Sequence, residues 1–77
     1  MPRKTLVYMP MPSLKPGTLV TFHSMYKGHE RTGKTAVVMR HDPAPSDWGV
    51  LHWIKFGDGH QLLVTRQELT EICAKAA

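Results

Sequence analysis

The stretch Gly28-His29-Glu30-Arg31-Thr32-Gly33-Lys34-Thr35 matches the phosphate-loop pattern G-x-x-x-x-G-K-[ST] at every fixed position. The residues after it decide the fold. A phosphate loop must open a helix, whose first N–H groups and dipole hold the phosphate. Here the chain continues Ala36-Val37-Val38-Met39-Arg40 and then Asp42-Pro43-Ala44-Pro45. Two adjacent valines favour a strand, and the two prolines would stop a helix before its second turn. The eight residues therefore read as a loop between strands, with β-structure continuing straight out of Gly33-Lys34.

The same reading recurs on both sides of this loop. Pro16-Gly17 signals a turn. Thr18-Leu19-Val20-Thr21-Phe22 reads as a strand with Val20 and Phe22 on one face and Leu19 and Thr21 on the other. A polar loop over 23–33 leads to a second strand over 34–40, and a loop over 41–47 to a third over 48–56. Alternation in the third strand puts Val50, His52, Ile54 and Phe56 inward and Leu51, Trp53 and Lys55 outward. Gly57-Asp58-Gly59 reads as a hairpin turn whose glycines supply positive φ, and Gln61-Leu62-Leu63-Val64 as a fourth strand. Thr65-Arg66-Gln67-Glu68 is a capping box, predicting a short helical turn with Leu69 and Ile72 facing the core.

Residues 1–16 differ in character. Pro2, Pro10, Pro12 and Pro16 forbid a helix, yet Leu6, Val7, Tyr8, Met9, Met11 and Leu14 are apolar. This predicts an extended arm over 1–15 that packs on its own domain or on a neighbouring subunit, with Leu6, Tyr8, Met9 and Met11 as its contacts. The domain then covers 16–73, and 74–77 form a fraying tail.

Length limits what this domain can do. The 77 residues make one unit, burying only about 60% of the surface that the unfolded chain exposes. That excludes a nucleotide-binding domain of several strand–helix–strand units. Its 42% hydrophobic and 21% charged residues are those of a globular protein. The single cysteine, Cys73, cannot form an internal disulfide, and a reducing compartment is expected. No apolar run reaches the roughly 18 residues of a membrane span, and the apolar stretch near the N-terminus is too short for a signal peptide. These features lead to an expectation of a cytoplasmic protein with no membrane partner.

The order of these signals resembles that of small SH3-like barrels. It is carried by Pro16-Gly17-x-Leu19-Val20, Gly33-Lys34-x-Ala36-x-Val38, the aromatic-ending strand with Asp58-Gly59, and Glu68-Leu69-x-x-Ile72. The chain is most similar to the short barrels of tailed bacteriophages, with a layout like KOW and Tudor modules. The resemblance covers 16–72 and concerns strands and turns rather than chemistry. It implies a mainly β fold: a small five-stranded, half-open SH3-like barrel with an N-terminal arm and a C-terminal helical turn. It also implies that the long loop after the first strand faces a partner. Type II dihydrofolate reductase shares the size and layout, but of its active segment only Gln61 matches, and its tyrosine is absent.

Candidate chemistry is sparse. The histidines His23, His29, His41, His52 and His60 form no recognised ligand pair, so neither a metal nor a cofactor is expected. His52 is expected among core residues, as a buried or rim histidine donating one hydrogen bond. Ser24, Ser46, His41, Asp42 and Asp47 show no spacing that assembles a nucleophile triad, and no enzyme is expected. A basic and aromatic group is better defined: Tyr26, Lys27, His29, Arg31 and Lys34 in one loop and its exit, joined by Arg40 and Trp48. With a formal charge of +4, these residues suit an acidic protein face, or DNA or RNA, whose bases stack on aromatics and whose phosphates pair with cations. Glu30 within the loop, and the enrichment of Tyr, Trp, Met and Arg in interface cores, favour a protein partner. The expectation is a non-enzymatic interaction module, phage-type in its most concrete form, docking on a larger assembly or on its own copies. Nucleic-acid binding through 26–40 is the alternative.

Overall fold

A computed structural model describes residues 12–44 and 46–72. Among these residues five antiparallel strands form one sheet: β1 (Leu19–Phe22), β2 (Thr35–Asp42), β3 (Leu51–Phe56), β4 (Gln61–Thr65) and β5 (Leu69–Glu71). Their spatial order is β4-β3-β2-β1-β5. The sheet is not closed, since β4 and β5 are its two edges.

A strand follows the glycine–lysine segment, as expected, beginning at Thr35 rather than Lys34, and no helix succeeds the phosphate-loop pattern. Gly33, at φ +90°, turns the chain into β2: its N–H donates to the Phe22 carbonyl at 2.7 Å, and the Phe22 N–H donates to the Lys34 carbonyl at 3.0 Å. That positive φ is readily adopted only by glycine. The loop therefore closes the β1–β2 hairpin, with the Gly33 amide committed to β1 and those of His29, Arg31, Thr32 and Lys34 to acceptors within the loop.

Alternation places Val20, Phe22, Ala36, Val38, Ile54, Phe56, Val64 and Leu69 on the inner face, where with Leu14 they form the core. Phe22 and Phe56 meet edge to face, with ring centroids 5.9 Å apart. His52 lies in this core with no exposed surface, as its place in the alternation predicts.

Four details differ from the sequence reading. First, β3 begins at Leu51, so Trp48 lies in the preceding turn and Val50 is 44% exposed rather than core. Gly49, at φ +85°, ends that turn and delays the strand. Second, β2 runs two residues further than expected and carries a bulge. Val38 pairs with Ile54 but Arg40 with Trp53, leaving Met39 as an extra residue. A bulge reverses the in–out parity downstream of it. Without it Arg40 would face His52; with it His41 does.

Third, the helical turn is only Arg66–Glu68, a 3-10 turn, and the chain then extends again. Leu69 has φ −116° and ψ +132° and opens β5, which pairs with β1 through Phe22↔Leu69, Thr21↔Thr70 and Val20↔Glu71. Leu69 is core as expected, but Ile72 is only half-buried; its N–H donates to the Leu19 carbonyl at 2.9 Å. Unpaired donors and acceptors on β1 outweigh the weak gain of a second helical turn. Fourth, of the two glycines in the β3–β4 turn only Gly59 has positive φ, +90°.

The expected arm contacts Leu6, Tyr8, Met9 and Met11 lie outside the described residues, as do Cys73 and the tail over 74–77. The described part of the arm is docked on the domain, with Leu14 buried at 7% exposure.

Candidate interaction groove

The candidate groove starts from one carboxylate. Glu68 ends the 3-10 turn and is 8% exposed. Its Oε1 accepts from the Thr65 N–H at 3.0 Å and the Thr65 hydroxyl at 3.1 Å, so the reach-back half of the capping box is in place. Its Oε2 accepts from the Met25 N–H at 3.1 Å, and its carbonyl accepts from the His23 N–H at 2.8 Å. One residue thus ties the start of the 23–34 loop to the far end of β4. The Tyr26 N–H donates to Ser24 Oγ at 2.9 Å, and the Ser24 N–H to Thr32 Oγ1 at 3.0 Å. These bonds fix Met25 and Tyr26 at the loop's shoulder.

Opposite them stands Trp48. Its N–H donates to Ser46 Oγ at 3.0 Å, and the Gly49 N–H to the Ser46 carbonyl at 3.2 Å. This serine turn holds the indole above β3 and β4. Between loop and turn lies an open groove of about 240 Å³, walled by Met25, Tyr26, Trp48, Leu51 and Leu63 over Val64, Thr65 and Glu68. Its walls are apolar and exposed: Tyr26 71%, Trp48 52%, Met25 45% and Leu63 37%. The volume is below the 300 Å³ or so at which small-molecule pockets begin. It suits one or two side chains of another macromolecule.

The expected site residues divide. Tyr26 and Trp48 come together in the groove, and Lys27 is exposed beside Tyr26. His29, Arg31 and Arg40 serve the domain itself. His29 sets its ring edge against Phe22 at 5.2 Å, and its Nδ1 accepts from the Arg31 N–H at 3.1 Å. Arg31 makes a two-pronged bond to Asp58 at 3.0 and 3.3 Å while its guanidinium lies 4.8 Å from the Phe56 ring centre. The Arg31 bonds, with the His60 N–H, hold the exposed Asp58 carboxyl below the usual carboxylate range. Arg40 stacks over Trp53 at 5.1 Å, and the Trp53 indole N–H donates to Asp42 at 3.0 Å. Lys34 borders a different, open depression of about 480 Å³ with Glu30, Arg31, Phe56 and Asp58. Its two carboxylates are ill-suited to a phosphate.

Sequence reasoning missed Met25, Leu51, Leu63 and Glu68 as site residues. One signal for them was present: Leu51 and Leu63 are apolar residues at outward positions of strands. Among the described residues no group of three His, Cys, Asp or Glu side chains is placed to hold a metal ion. Nor is any helix there long and apolar enough to cross a membrane. No protein-family model, curated protein or solved structure matches the chain.

Proposed function

We propose that this chain is a non-enzymatic interaction module that docks on a larger protein assembly, or on its own copies, by seating apolar side chains of the partner between Tyr26 and Trp48. The observation that carries this reading is the groove: two exposed aromatics and three further apolar side chains, positioned by the hydrogen bonds of Glu68, Ser24 and Ser46. Aromatic and methionine side chains are enriched in interface cores, the aromatics because they bring large area at low entropic cost and methionine because it adapts its shape to the partner. The diversion of Arg31 and Arg40 into intramolecular contacts supports a protein partner over a phosphate backbone.

An open antiparallel sheet with edges of only five and three residues supports the SH3-like half-open barrel that the sequence resembles. In this reading the 23–34 loop is the partner-facing loop. A phage-type structural or accessory role is the most concrete form of the proposal, and rests on the resemblance alone. The second reading is nucleic-acid binding. It is favoured by one observation: Tyr26 shares the groove with Trp48, and the exposed cation Lys27 follows Tyr26 in the chain.

Retention experiments separate the two. The tagged chain and its Tyr26→Ala/Trp48→Ala variant are compared for what they retain from the producing cell, with and without nuclease, at low and high salt. The proposal expects a protein retained at both salts and lost with the double variant. Equal retention by both chains would refute it. Retention of nucleic acid that disappears as salt rises would favour the second reading, because phosphate contacts release counterions.

A further inference from the structure

The end of the N-terminal segment is held by histidines. The Leu14 N–H donates to His52 Nε2 at 3.0 Å, and His41 Nε2 meets the Leu14 carbonyl at 2.5 Å. Arg66 Nε donates to the Pro12 carbonyl at 2.9 Å. The two imidazoles are edge to face, with centroids 4.8 Å apart.

Donor and acceptor roles fix the proton positions. A backbone N–H can only donate, so His52 Nε2 must carry a lone pair. The His52 proton is therefore on Nδ1, directed at the Val50 carbonyl 3.0 Å away. His41 donates to a carbonyl through Nε2, which it does whether neutral or charged. Only His52 changes role on protonation. A proton on its Nε2 would set two donors head to head across 3.0 Å, in a side chain with no exposed surface.

We propose that His52 is a proton-sensitive latch: neutral, it holds Pro12–Leu14 on the sheet, and protonated, it lets that segment go while the five-stranded sheet persists.

The surroundings offer the imidazolium no compensation. From β2 it faces His41, from the 3-10 turn the Arg66 guanidinium, and from β4 the apolar Val64 opposite it. The nearby carboxylates are engaged elsewhere, Asp42 with Trp53 and the Ala44 N–H, and Glu68 with Thr65 and Met25. Burial, then the charge of His41, push the His52 pKa below the ordinary imidazole value, with Arg66 adding to the effect against the Val50 carbonyl. The released imidazole takes up its proton near the ordinary value of about 6.5, the held one only at lower pH. The latch is therefore fully closed above about pH 6.5. It weakens about tenfold per pH unit from there down to the held value, and no further below it.

The test uses the whole chain in an NMR titration from pH 7.5 to 4.5, tracking two quantities. One is the His52 ring-nitrogen shifts, which report its proton. The other is the exchange protection of the Leu14 amide, corrected for intrinsic pH dependence, against those of Val38 and Ile54. The latch expects Leu14 protection to be lost progressively as His52 protonates, with Val38 and Ile54 still protected. His41→Gln keeps a donor for the Leu14 carbonyl but removes the His41 imidazole, whose coulombic effect opposes a charge on His52, and should move both midpoints upward in pH together. Leu14 protection that persists through His52 protonation would overturn the proposal. So would Leu14, Val38 and Ile54 losing protection together, or His52 staying neutral until the whole domain unfolds.

Discussion

At the scale of single residues, Glu68 and Trp48 mark opposite ends of the range between structure and function. Glu68 satisfies three donors with one buried carboxylate. Removing a partner from buried donors costs about 1–3 kcal/mol for each group left unsatisfied. Two of the three donors, both on Thr65, are buried, so Glu68→Ala should lower the unfolding free energy by about 2–6 kcal/mol in a urea titration, and should free Met25 and Tyr26 to move. Glu68→Gln, which keeps an acceptor oxygen, should cost about half as much. Trp48 is half exposed and supported only through its backbone. Trp48→Ala should change stability by no more than about 0.5 kcal/mol, but weaken partner binding by at least about 2 kcal/mol, roughly thirtyfold. Calorimetry of the same protein preparation against the retained partner would measure both. Neither role was fully legible in the sequence. The aromatics stood out by type, whereas the third bond of Glu68, to Met25, joins residues 43 apart in sequence, and no local pattern encodes such a contact.

At the scale of elements, β5 is the informative case. The capping box correctly announced a turn at Arg66–Glu68, but capping chemistry specifies how a turn starts, not how far it runs. Its length was decided by β1, which leaves an edge unpaired unless Leu69–Glu71 extend along it. The His23 N–H to Glu68 carbonyl and Ile72 N–H to Leu19 carbonyl bonds fix the alternation, which places the Thr70 N–H toward β1. Thr70→Pro removes that donor and should cost about 3 kcal/mol, whereas Thr70→Val should be close to neutral by thermal unfolding. The bulge at Met39 was equally hidden. Period-two reading carries Arg40 to the His52 side, and nothing in Val38-Met39-Arg40 announces an extra residue. The inner faces of β1 and of β3 from His52 onward were legible because their apolar residues alternate without interruption. Arg31 and Arg40 were legible as cations but not as ones already committed, because Asp58 and Trp53 reach them only through the fold.

At the scale of the whole molecule, a small domain has little stability to spare, so a single docked side chain of the N-terminal segment matters. Leu14 belongs to the core although it precedes the first strand by five residues. A chain beginning at Lys15 should keep its β-type circular dichroism but unfold with about 2 kcal/mol less free energy, having lost the apolar burial and the His52 bond. It should also lose the pH dependence assigned to the latch, since His52 then lacks the Leu14 donor. The same economy bears on function: a sheet of five short strands leaves its loops as the means of recognition, and the groove lies where two of them face each other. The most direct measurement places a photo-crosslinking benzophenone side chain at Tyr26, or at Lys34 as a control, and irradiates the producing cells. The groove account predicts a discrete protein adduct from position 26 and none from position 34. Adducts formed only from position 34, or only with nucleic acid, would contradict it.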